Sequence, residues 1–117
     1  MRFPRCASQA FTLVEIMIVV VLIGLLATLA LPAFQRIRSA SQDKAVLNNA
    51  RQLSSAADSY YLESGVNFAS SANLIGASNY VRALSTVASE TYPADFTQGV
   101  TITVTGVGSA RTITYTP

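Results

Sequence analysis

Histidine and tryptophan are absent from these 117 residues, and cysteine occurs once, at Cys6. Without histidine, hydrolysis by a Ser-His or Cys-His pair is excluded. A single cysteine allows neither an intrachain disulfide nor a zinc site of the usual kind. Charge is scarce as well: eight basic and six acidic side chains make up 12% of the chain, against roughly 25% in ordinary globular domains. The net charge of +2 includes Arg2 and Arg5 and no basic stripe follows them, so no nucleic-acid partner is expected. The acids Asp43, Asp58, Glu63, Glu90 and Asp95 are scattered, with no Asp-x-Asp-x-Asp-Gly loop, so no metal and no cofactor are expected. Serines and threonines abound, but the one lysine, Lys44, sits in a polar helical stretch, and the chain is not read as an enzyme. What remains is apolar. Half of the residues are hydrophobic and mean hydropathy is +0.39, a composition that excludes disorder, and the length fits one domain.

The apolar residues are concentrated in one place. From Phe11 to Phe34 the chain reads FTLVEIMIVVVLIGLLATLALPAF, with Glu15 as its single charge. At ~1.5 Å per residue this run is longer than the ~30 Å hydrocarbon layer of a bilayer. Hydrophobicity on all sides implies a helix in lipid or deep within a helical assembly. Gly24 and Pro32 interrupt the run, and a kink or local loosening near Thr28 to Pro32 is expected rather than an end. They are read equally as residues a lipid helix tolerates and as the place where the helix loosens on leaving the bilayer. Beyond Phe34 polarity rises, yet Val46, Ala50, Leu53, Ala57, Tyr60 and Tyr61 recur at spacings of three and four. One helix from about Phe11 to about Glu63 is therefore predicted, stopped by Gly65. The tyrosines are read as core packing, and Arg36, Arg38, Asp43 and Lys44 as solvated or as intersubunit pairs of small worth.

Past the helix, the Ser-, Ala- and Asn-rich stretch predicts a short helix around Asn79 to Thr86. Two period-two segments follow, Val100 to Val104 and Arg111 to Tyr115, separated by the turn-prone Thr105-Gly-Val-Gly-Ser109, and together they predict a hairpin. Val100, Ile102, Val104, Ile113 and Tyr115 are expected to face the helix, with Thr101, Thr103, Thr112 and Thr114 outward. An isolated hairpin is marginal, so a third strand is expected near Phe96 or Tyr92. The fold class is α+β: one long N-terminal helix against a small C-terminal antiparallel sheet.

Ala10-Phe11-Thr12-Leu13-Val14-Glu15, preceded by a short basic leader and followed by an apolar run containing Pro32, resembles the cleavage and methylation motif of type IV pilins and type II secretion pseudopilins. The resemblance covers about Gln9 to Tyr61. It implies a leader of residues 1–10, a transmembrane or filament-core helix of residues 11–35, and a remainder of residues 36–117 that holds the rest of the helix and a small head. It further implies that prepilin peptidase cuts between Ala10, where the family more often has glycine, and Phe11, and methylates the new amine. Phe11 and Glu15 would be the assembly residues, the Glu15 carboxylate pairing with the Phe11 amine of a neighbouring copy. An ionised carboxylate within a membrane helix costs about 2.5–3.5 kcal/mol and is by default a functional residue. Its bland reading is a place at the headgroup boundary.

The implied partners are copies of the chain in a helical homopolymer, the peptidase, an inner-membrane assembly platform, and membrane lipid before assembly. The implied location is the inner membrane, N-terminus cytoplasmic, and then an extracellular pilus or a periplasmic pseudopilus serving export. Cleavage would remove Arg2, Arg5 and Cys6, leaving six basic and six acidic side chains. An ordinary secretory signal peptide fits poorly, because its apolar region is about 7–15 residues long. A monomeric single-pass anchor is the remaining alternative.

Overall fold

Thr12 opens the first element. Its hydroxyl accepts the N–H of Glu15 at 3.2 Å, satisfying one of the donors that a helix start leaves unpaired. In the computed structural model, which describes residues 10–108 and 110–117, α1 then runs Leu13–Ser64, close to the span expected from the apolar pattern. The leader residues Arg2, Arg5 and Cys6 lie outside the described residues. Gly65 ends α1, with φ at 68° and its N–H on the Tyr61 carbonyl at 2.9 Å. A left-handed residue of this kind at a helix end favours glycine because it lacks a Cβ. The helix assignment continues through Gly24 and Pro32. Chain contacts divide the molecule into two units, up to Arg36 and from Ile37.

In the second unit, Val46, Ala50, Leu53, Ala57 and Tyr61 form a buried seam, widened by Ser54 and Ala56. Tyr60 is only half-buried and stands edge-on to Tyr80, ring centroids 6.1 Å apart at 89°. The seam packs with Ala69, Leu74, Ala88, Phe96, Ile102, Val104 and Val107. One polar atom in this core has no hydrogen-bond partner among the described residues, the Tyr61 hydroxyl. Burial, with the nearby Asp58 charge, pushes its ionisation upward. An unpartnered buried hydroxyl forfeits its hydration without return, so Tyr61→Phe is expected to be neutral or to stabilise the protein by about 1 kcal/mol in urea unfolding.

The head departs from the expected single sheet. Strands β1 (Phe68–Ser70) and β2 (Asp95–Thr97) pair antiparallel, and β3 (Ile102–Val107) pairs with β4 (Arg111–Tyr115) in a separate two-stranded sheet. Phe96 thus does lie in a strand, but one paired to Phe68–Ser70 rather than to the hairpin. Beside β3, Thr91 exchanges two backbone hydrogen bonds with Thr105, at 2.8 and 3.1 Å.

The hairpin's second strand has the expected bounds, whereas the first does not. Val100 is 55% exposed and outside β3, while Val107, expected in the turn, is fully buried. The register shift between Val104 and Val107, with Gly106 at φ 76°, explains the difference. An inserted residue breaks the alternation and turns Val107 back toward the core. The four threonines 101, 103, 112 and 114 face outward as expected.

No helix forms around Asn79 to Thr86; the only short helix among the described residues is α2 (Ser71–Leu74). Backbone groups of the segment are committed elsewhere: Gly76 N–H to Val81 C=O and Val81 N–H to Leu74 C=O, each at 2.9 Å. Asn79 closes the turn by donating to the Ala72 and Ile75 carbonyls. These bonds compete directly with a helical ladder.

Candidate functional site

The first turn of α1 is where sequence and geometry meet. Glu15 is three residues beyond Thr12, whose hydroxyl caps its N–H. Thr12-x-x-Glu15 is thus the pattern of a capping box, and a carboxylate in the first turn also favours the positive end of the helix dipole. This first-turn position of Glu15 was legible in the spacing but is absent from a reading based on membrane burial alone. Phe11 is 77% exposed. Ala10 and Phe11 precede the helix in irregular backbone. Gly24 has nothing within 4 Å of where a Cβ would stand. Pro32 removes the N–H that would bond the Thr28 carbonyl, and the Thr28 hydroxyl turns to the Leu25 carbonyl at 2.8 Å.

From Leu13 to Ile37 the large apolar side chains are exposed in the isolated chain, none of them below 47%. Among the described residues α1 is the one helix long and apolar enough to cross a membrane. Exposed apolar surface of this extent far exceeds the few hundred Å² usual on a soluble monomer and marks a membrane or protein contact.

The head contributes a polar clasp that the sequence reading missed. Glu90, one of the scattered acids of the sequence, is buried. Its carboxylate accepts the N–H of Ala88 at 2.7 Å and that of Val87 at 3.1 Å, and the Tyr92 hydroxyl at 2.9 Å. Asn49 on α1 donates to that same hydroxyl and to the Ser85 carbonyl, both at 3.0 Å. Burial opposes ionisation of Glu90, but the backbone N–H groups and the tyrosine together outweigh it and hold the carboxyl below its ordinary value. Burial, reinforced by the Glu90 charge and opposed by Asn49, pushes the Tyr92 phenol up to about 12.

The sign of the pH effect follows. A carboxyl that releases its proton more readily when folded stabilises fully above its unfolded value near 4.5, and the contribution fades as pH falls through the lower folded value. Glu90→Gln is expected to flatten this acid limb when melting temperature is followed from neutral pH to about pH 3. Asp43, read above as solvated or intersubunit, is paired within the chain to Arg111. Among the described residues no three His, Cys, Asp or Glu side chains converge where they could hold a metal ion.

Residues 5–31 match the family model described as the prokaryotic N-terminal methylation motif. The fimbrial protein EcpC of Eikenella corrodens is 42% identical over 59 residues, which is 50% of this chain and 39% of that protein. The type IV major pilin protein PilE of Neisseria gonorrhoeae is 40% identical over 59 residues, 50% of this chain and 35% of that protein. A fimbrial protein of Pseudomonas aeruginosa is 41% identical over 57 residues, 49% of this chain and 37% of that protein. The match thus spans less than two fifths of each of these relatives. No solved structure matches the chain. The chain thus carries the methylation motif near its N-terminus and is similar over about half its length to type IV pilins and fimbrial proteins.

Proposed function

We propose that the chain is the structural subunit of a helical type IV pilus-like filament. Residues 1–10 are the leader, residues 11–35 the membrane and then filament-core helix, and residues 36–117 the remainder with its head. The observation that carries this reading is the apolar surface of α1, exposed from Leu13 to Ile37, most of it within the matched methylation motif of residues 5–31. Before assembly that surface is matched by lipid in the inner membrane, with the leader on the cytoplasmic side. Afterwards it is matched by the same surface of neighbouring copies, so lipid contact is exchanged for protein contact at little cost in apolar burial.

The chemistry of entry is proteolysis and methyl transfer at the Ala10-Phe11 bond by prepilin peptidase. The new Phe11 amine is then the cation for Glu15 of the adjacent copy. A buried carboxylate requires such a partner, and the apolar run supplies no other charge.

Mass spectrometry of the chain co-expressed with a prepilin peptidase tests this first. The expected mature protein begins with N-methylated Phe11, and electron microscopy of sheared material shows filaments. A mature start near Leu31 or Phe34, as signal peptidase would leave, overturns the proposal. Filaments confined to the periplasm would identify a pseudopilus.

A further inference from the structure

A peptide bond inside a helix is a poor substrate for hydrolysis. Water must add to the Ala10 carbonyl carbon, and the Phe11 nitrogen must take up a proton and leave as an amine. In a helix that carbonyl oxygen is engaged by the N–H four residues on, and the backbone is held in a closed ladder. Whatever keeps this bond out of α1 therefore bears on its cleavage.

The flanking residues do not stop a helix there. Ala7, Gln9 and Ala10 are strong helix formers, and the nearest proline upstream is Pro4. The apolar run presses the same way, because backbone groups that enter lipid must be bonded within the chain. Ser8 is a ready cap one turn back. A helix opening at Ser8 would hold both Ala10 and Phe11 in its first turn.

Thr12 decides between the two starts. Lengthening α1 upstream would bond the Glu15 N–H to the Phe11 carbonyl, and then the Val14 N–H to the Ala10 carbonyl. Instead the Thr12 hydroxyl accepts the Glu15 N–H at 3.2 Å, while the Thr12 carbonyl accepts the Ile16 N–H at 3.3 Å. The donor that would carry the ladder one step further is thus taken by a side chain, and Ala10 and Phe11 stand in irregular backbone.

We infer that Thr12 is a positioning residue for processing: by taking the Glu15 N–H, its hydroxyl holds the Ala10-Phe11 bond in the non-helical form that the peptidase cuts. This rests on the reading of that bond as the processed one. Thr12 acts through a population, the fraction of chains whose bond is free of the helix. Apparent affinity falls in proportion to such a fraction, while turnover of the bound chain is unchanged. Loss of a cap is expected to shift the fraction about fivefold.

Cleavage kinetics of the full-length chain test this, in vesicles of phosphatidylethanolamine and phosphatidylglycerol with a purified prepilin peptidase. Thr12→Val keeps the shape and loses the acceptor. It is expected to raise KM about fivefold with kcat unchanged. Thr12→Ser and Thr12→Asn, which share the acceptor oxygen but not the shape, are expected to keep KM close to that of the unsubstituted chain. With Ala10 labelled at its carbonyl carbon, the NMR shift is expected to move toward the helical value in Thr12→Val and not in Thr12→Asn. Position 12 is exposed and precedes α1, so folding of the head is not at stake.

An unchanged KM for Thr12→Val overturns the inference. So does a Thr12→Asn chain with a KM raised as far as that of Thr12→Val, or a fall in kcat alone, since the peptidase would then be reading the threonine by contact. Failure to cut the unsubstituted chain is a separate outcome, which overturns the processing reading and the inference with it.

Discussion

Replacing Glu15 by leucine is expected to abolish filament assembly while membrane insertion and cleavage after Ala10 proceed as before. Leucine is no less suited to a membrane segment than glutamate, so insertion is expected to hold; the Ala10-Phe11 bond lies outside the helix, so its cleavage is expected to be untouched. What is lost is the counter-charge for the Phe11 amine of the incoming copy. Leaving one member of a buried ion pair unpartnered costs about 3–5 kcal/mol, which at about 1.4 kcal/mol per tenfold is a loss of hundredfold or more in each subunit addition.

The cap geometry dictates a second variant. The Thr12 hydroxyl caps the backbone N–H of Glu15, a bond that does not involve the side chain at position 15, and glutamine suits the first-turn position of a capping box almost as well as glutamate. Glu15→Gln is therefore expected to leave the helix start intact and still to prevent assembly. Filaments from Glu15→Gln at the normal yield would remove the pairing role. The measurement is the yield of sheared filaments against mature subunit retained in the membrane fraction.

The largest effect on stability is expected at Leu53. Five of the thirteen buried apolar residues in the head are alanines, at positions 50, 56, 57, 69 and 88. The apolar driving force therefore rests on a few large side chains, of which Leu53 is fully buried on the helix seam. Leu53→Ala is expected to cost about 3 kcal/mol through lost transfer energy and the cavity left behind. A head this small holds little more than that in reserve, so the variant is expected to expose the head to protease and to lose its cooperative transition in urea. Leu62→Ala, at a position 87% exposed, serves as the control and is expected to change stability by less than about 0.5 kcal/mol. A Leu53→Ala protein with an unchanged urea midpoint would mean that the seam is not the core of the head.

The long helix, its stop at Gly65 and the second hairpin strand were legible because each is written in local periodicity: spacings of three and four, a glycine after the last of them, and the alternation of Arg111 to Tyr115. The motif at Ala10 to Glu15 was legible because it is a contiguous pattern of residue types. The failures share a different cause. Val107 is buried because Gly106 takes a left-handed conformation within β3, and nothing in a glycine between Thr105 and Val107 distinguishes a bulge from a turn. Asn79 to Thr86 stays irregular because its polar groups bond to residues 72 to 81 and, at Ser85, to Asn49. The burial of Glu90 depends on two backbone N–H groups and a tyrosine hydroxyl converging on it. Such convergence is a property of the folded loop and leaves no spacing in the sequence.

The Asp43–Arg111 pair closes the head across 68 residues of sequence, tying the helix to the last strand. Topologically this is the place a covalent staple would occupy, but an ion pair needs no oxidant to form and no isomerase to correct it. The head can complete its fold in a reducing or an oxidising compartment alike, and reductants leave it unchanged. Salt is what acts on it. Both side chains are more than a third exposed, and an exposed pair contributes only about 0–1 kcal/mol, so its role is to select one closure of the chain over others, in a fastening that opens and re-forms without chemistry.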